Sequence, residues 1–200
     1  MNTGFTKRRS ERGYTMIEIL VVVAIIAIVS AIALPMTSRT MGDARLRGDA
    51  QSVAQSISLA KMRAAASFSQ ARVFVTLDTN TFFVQVWDRD ANSWTTEGGA
   101  TPTSTGVTFG FGGLANPPPN TQAAIAMSPQ CDDDAGNPIG NSACITFNSR
   151  GIPIDGTGAP VGDNALYVTD GVGVYSATLT ATPLLRLWWS PAGAANWVMQ

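Results

Sequence analysis

Apolar and polar positions divide this chain into stretches with different periods. Residues 1–13 are polar, with Lys7, Arg8, Arg9 and Arg12 set against one acid, Glu11. From Tyr14 to Met36 nearly every residue is apolar, and no repeat sets one face apart. Past Pro35 a period emerges. Leu46, Ala50, Val53, Ile57, Ala60 and Ala64 recur at intervals of three and four, while Arg45, Arg47, Asp49, Gln51, Gln55 and Lys61 fall on other faces. That spacing predicts an amphipathic helix over 37–66. No proline lies between Pro35 and Pro102, so one helix is expected from about Tyr14 to Ala66, roughly 80 Å at 1.5 Å per residue. Pro35 removes one backbone bond and is expected to kink that helix or open it locally.

After Ser67 the pattern turns to short β runs. Arg72–Leu77 and Thr81–Trp87 are rich in β-branched and aromatic residues around Asp78-Thr79-Asn80, which reads as a hairpin. Further strands are expected over Val107–Phe111, Ala123–Met127, Cys144–Phe147, Ala165–Thr169, Val172–Leu179 and Leu184–Trp189, with Trp197–Met199 at an edge. Glycine and proline crowd 98–120 and 129–163, which read as loops. The economical fold is α+β: a long N-terminal helix whose amphipathic half packs on an antiparallel β-sheet head spanning 67–200.

Tyr14–Met36 would be about 34 Å long as a helix, close to the ~30 Å hydrocarbon core of a bilayer. The cations ahead of it predict a cytoplasmic N-terminus, with the head on the other side. Glu18 is the anomaly, because a carboxylate in lipid costs about 2.5–3.5 kcal/mol or more. Cleavage behind Gly13 would supply a partner, the α-amine of Tyr14. The two residues are four apart and would share a helix face, or the amine of one subunit could meet the acid of the next. Two other readings stand beside this one. An ordinary secretory signal would use Ala31-Ile32-Ala33 as its small-x-small site, although Glu18 interrupts its apolar region. A plain single-span anchor gives Glu18 no use.

Gly13-Tyr-Thr-Met-Ile-Glu-Ile-Leu resembles the class III signal of type IV pilins and type II secretion pseudopilins, usually G-F-T-L-I-E-L. The resemblance implies cleavage after Gly13 by a prepilin peptidase, N-methylation of Tyr14, and assembly guided by Glu18. Many pilins also carry a proline where Pro35 stands. Tyr14 in place of phenylalanine is a departure from one aromatic to another. The helix, the many short strands and Ile145-Thr-Phe-Asn-Ser-Arg-Gly151 ahead of a terminal hairpin are similar to the H-type minor pseudopilins, whose domain the FimT/FimU-like minor pilins share. The implied organisation is a cleaved leader over 1–13, a transmembrane and filament-core helix over 14–36, its amphipathic continuation over 37–66, and the head. The implied partners are other pilin or pseudopilin subunits, the peptidase and an inner-membrane assembly platform. The implied location is the bacterial inner membrane, single-pass with a periplasmic head, and then a filament.

Charge and rare residues narrow the chemistry. Loss of residues 1–13 removes four cations and one anion, moving the formal charge from −1 to −4. From Ser67 onward Arg72, Arg89, Arg150 and Arg186 oppose ten acids, a poor surface for phosphate backbones. Some FimT-like minor pilins bind DNA through tail arginines. Here the tail offers Arg186 alone, so a DNA-binding or adhesive pilus tip is the second reading. Cys131 and Cys144, on the predicted exported side, read as a disulfide; a metal pair would lack histidine and a second cysteine pair. The absence of histidine excludes a Ser-His-Asp or Cys-His arrangement, and no G-x-S-x-G or phosphate loop occurs. No cofactor and no catalysis are expected. Asp88–Ser93 resembles the start of a calcium loop but lacks its glycine and its final glutamate. Asp132, Asp133 and Asp134 are weak metal candidates, since some pilin relatives bind calcium in C-terminal loops. The five tryptophans are expected in the core, with Trp188 and Trp189 pointing to opposite sides of a strand.

Overall fold

The computed structural model describes residues 13–200. Residues 1–12, which hold most of the expected leader, and the side chains of 32–39 lie outside that description. The chain divides at Met41/Gly42 into two compact units. One helix, α1 (Met16–Ala66), belongs to both. It begins two residues later than expected because Thr15 caps it: the Thr15 Oγ1 accepts the Glu18 N–H at 3.3 Å. Thr15-Met-Ile-Glu18 has the spacing of a capping box, in which the threonine satisfies a backbone donor that the helix cannot.

In the first unit the apolar residues through Val29 are exposed all round, including Ile17, Leu20 and Ile26. Among the described residues no helix is long and apolar enough to cross a membrane. The span expected over 14–36 runs past Ala31 into residues whose side chains are not described, and the kink expected at Pro35 falls among them too.

The second unit is built on the predicted stripe. Leu46, Ala50, Val53, Ile57, Ala60 and Ala64 are all buried, none more than 2% exposed. They pack on two antiparallel five-stranded sheets rather than the expected one. The strands are β1 (Ala71–Thr76), β2 (Thr81–Asp88), β3 (Ser93–Pro102), β4 (Thr108–Phe109), β5 (Ser142–Phe147), β6 (Pro153–Ile154), β7 (Asn164–Thr169), β8 (Gly173–Leu179), β9 (Leu185–Pro191) and β10 (Val198–Met199). The first sheet runs β3-β2-β1-β5-β6, the second β10-β9-β8-β7-β4. Alternation assigns the faces. Val73, Val75, Ile145 and Phe147 of the first sheet share a core with Leu166, Val168, Ala177 and Leu179 of the second and with the helix stripe. Arg72, Phe74, Cys144 and Thr146, in alternate positions, take the opposite face of the first sheet.

The second sheet is covered on both faces, so β7 and β8 are buried along their whole length. Its other face places Ala165, Tyr167 and Val174 against Leu114, Phe111, Ile125, Met127 and Trp197. This corrects Ala123–Met127, expected as a strand: its apolar residues serve a coil lying on the sheet. Three further corrections concern sheet borders. β3 extends into the expected 98–120 loop, and its polar Trp94-Thr-Thr-Glu97 hides the signal of an edge strand. Gly98, Gly99 and Ala100 lie opposite Phe83 alone, a bulge that breaks the register of β2 and β3. β6 falls inside the expected 129–163 loop, and the strand expected over Val107–Phe111 reduces to β4.

Candidate functional site

Two places carry unusual chemistry, and the first is the start of α1. Gly13 and Tyr14 precede the helix, with nothing within 4 Å of a Cβ built on Gly13. Tyr14 is 79% exposed, and Glu18 is an exposed acid in the first helical turn amid apolar neighbours. An acid in the first turn suits the positive end of the helix dipole. Glu18 is thus compatible with its helix while remaining out of place in any apolar surroundings.

The second place is the outer face of the first sheet. The disulfide between Cys131 and Cys144, Cα atoms 5.0 Å apart, holds the 128–141 segment over that face. Both cysteines pack with Phe74, Phe83 and Ile139. Between segment and sheet lies a cavity of about 340 Å³. Arg72 lines it and is only 3% exposed. Its guanidinium lies 3.9 Å above the Trp94 ring and 5.3 Å from that of Phe74. The Nε donates to Gln85 Oε1 at 2.8 Å and Nη1 to the Asp132 carbonyl at 2.7 Å. Burial lowers the Arg72 pKa to about 10, and the nearby charges of Asp134 and Asp132 oppose that shift.

The three adjacent aspartates have separate tasks. Asp133 folds back on its own turn, accepting the N–H groups of Ala135 and Asn137 at 2.9 and 2.8 Å. Hydrogen bonds, chiefly from the Asn137 backbone, hold its carboxyl below the usual range. The Asp134 Oδ1 accepts the Trp94 N–H at 2.9 Å, tying the segment to β3. Asp132 pairs with Pro138 through its backbone. Among the described residues no group of acids and cysteines could hold a metal ion, so these three do not converge. Asp88–Ser93 is the β2–β3 turn, where Asp88 Oδ1 accepts the N–H groups of Asp90 and Ala91.

The tail places Arg186 half-buried in β9, opposite Thr178. Trp188 is 8% exposed and donates to Thr178 Oγ1 at 3.0 Å, while Trp189 packs on the core from the other face. Neither ring is exposed.

Sequence reasoning missed Arg72, Trp94 and Asn164 as members of one cavity. The available signal was an arginine at an otherwise apolar position of Ala71-Arg-Val-Phe-Val-Thr76.

Residues 8–34 match the family model of the prokaryotic N-terminal methylation motif. This chain carries a prokaryotic N-terminal methylation motif. The motif contains Gly13, Tyr14 and Glu18, all named above. No curated protein matches the chain. Two solved structures of the minor pseudopilin EpsH from the type 2 secretion system of Vibrio cholerae are similar to it. One is 16% identical, with a TM-score of 0.45, covering 75% of this chain and 99% of that one. The other is 17% identical, also with a TM-score of 0.45, covering 78% and 99%.

Proposed function

We propose that the chain is a minor pilin or pseudopilin, a structural subunit of a type II secretion pseudopilus or a type IV pilus. The observation that carries this reading is the methylation motif over 8–34, with Glu18 standing in the first turn of α1 among neighbours that are apolar through Val29. A helical stretch bare and apolar on every side, as this one is through Val29, needs a cover that water cannot provide. Lipid would supply it before assembly, and the helices of neighbouring subunits would supply it afterwards. Prepilin peptidase would cut after Gly13, leaving Tyr14 with a free amine that is then methylated. That amine would neutralise Glu18 in an environment where an unpaired acid is costly. The leader would remain cytoplasmic and the head periplasmic.

Intact mass of the protein purified from a host with prepilin peptidase tests this. The expected mass begins at Tyr14 and carries one added methyl. A chain beginning at Leu34 would identify a secretory signal, an uncut chain a plain anchor, and either would refute the proposal.

A further inference from the structure

We propose that the cavity between the 128–141 segment and the first sheet binds a neutral, hydroxyl-rich saccharide. The argument rests on which groups the fold leaves unused there. Arg72 spends Nε and one Nη1 hydrogen on Gln85 and Asp132, and Nη2 has no protein acceptor among the described residues. Asn164 lines the same cavity, is 3% exposed, and its Nδ2 is a buried donor without a partner. Buried donors are normally paired, so an orphan beside a cavity marks a place for an acceptor.

Acceptors are unused as well. Asp132 and Thr146 line the cavity, and neither the Asp132 carboxylate nor the Thr146 hydroxyl makes a side-chain hydrogen bond among the described residues. Asp133, Asp134 and Asp155 are already engaged in their own turns or with Trp94. The wall includes Trp87 and Trp94, ring centroids 5.2 Å apart in an edge arrangement.

Charge selects among ligands. Four aspartates around one arginine repel an anion, which removes phosphates and carboxylates from consideration. A cation would meet the Arg72 guanidinium on the Trp94 face it would itself use. What fits unspent donors, unspent acceptors and aromatic carbon together is a group that both gives and accepts hydrogen bonds without charge. Sugar hydroxyls do this, and an acetamido carbonyl adds an acceptor for Arg72 or Asn164. The volume lies at the small end of ligand sites, which run about 300–1,000 Å³, enough for one or two rings.

The test uses the full chain in nanodiscs, avoiding detergents with sugar headgroups. Chitotriose and maltotriose are titrated separately while tryptophan fluorescence and heat are followed. Saturable binding of at least one, at one site per chain, is expected. Asp132→Ala and Thr146→Val should each weaken it fivefold or more, Thr146→Val without moving the melting temperature; Asp132→Ala also removes a charge that offsets the burial of Arg72. No saturable response to either sugar overturns the proposal. So does binding that both variants leave unchanged, or a response to calcium or lysine amide in place of sugar. None of these outcomes depends on how the N-terminus is processed.

Discussion

Gly173 of β8 lies directly under Leu46 of α1: a Cβ on Gly173 would stand 3.3 Å from Leu46 Cδ2 and 3.1 Å from Trp189 Nε1. Leu46 is 2% exposed and has little room to yield. Gly173→Ala should therefore lower stability by about 1–3 kcal/mol through overpacking. Urea denaturation of the full chain would show this as a lower midpoint with an unchanged slope. An unaltered midpoint would mean that the helix can lift off the sheet at that point at little cost.

The end of α1 is strained for a different reason. Phe68 stands at φ +49° and 73% exposed just after the helix, where the Ser69 N–H closes onto the Ala64 carbonyl. Glycine adopts that conformation without a Cβ penalty. Phe68→Gly should raise stability by about 0.5–1 kcal/mol, net of the greater freedom of the unfolded chain. Thermal unfolding of the two proteins side by side decides it, and a lower melting temperature would contradict the strain argument.

The Cys131–Cys144 disulfide closes a loop with a sequence separation of 13. Replacing both cysteines with serine should cost about 3 kcal/mol in the loop-entropy view. It should also free the 128–141 segment, so proteolysis there should speed up in the variant and in reduced wild type alike. Equal resistance in all three would show that Asp134 and the Arg72 bond to Asp132 suffice to hold the segment.

Tyr167, fully buried, has its pKa raised to about 12 because burial disfavours the phenolate, and its hydroxyl donates to Gln122 Oε1 at 2.6 Å. In the unfolded chain it ionises near 10. The folded state holds the proton more tightly, so this group's stabilisation is complete below pH 10 and is lost as pH rises toward 12. Burial raises the Tyr175 pKa as well, so absorbance of tyrosinate during a base titration should show a late ionisation coinciding with unfolding that Tyr167→Phe reduces without abolishing. A Tyr167 that titrates near 10 while the protein remains folded would refute the burial argument.

Glu18→Ala is expected to leave membrane insertion and cleavage intact while reducing incorporation into filaments. Counting the variant subunit in sheared filaments against the membrane fraction measures this. Normal incorporation would remove Glu18 from the assembly step.

The helix stripe was legible because six apolar positions repeat at a period that only a helix brings onto one face. The β1–β2 hairpin was legible from Asp78-Thr79-Asn80, and Asn80 does take a positive φ. β3 was partly hidden because an edge strand needs no apolar face. Ala123–Met127 misled for the opposite reason, since burial under a coil asks for the same residues as burial in a strand. The cavity was not legible at all: Arg72 reaches Gln85 13 residues away and Asp132 60 residues away. No local period encodes such a meeting. The motif at Gly13–Glu18 was the reverse case, a signature readable from spacing alone and matched by the family model over 8–34, with little tertiary structure around it.

The borders of the two sheets have one more consequence. Three of the four outermost strands, β4, β6 and β10, are two residues long, and the fourth, β3, is buckled where Gly98–Ala100 swell against Phe83. Short or distorted margins offer few free amides for a foreign strand to zip onto. Heads crowded side by side can therefore touch through side chains while resisting fusion into continuous β-structure, and repair of that buckle should be the change that makes them clump.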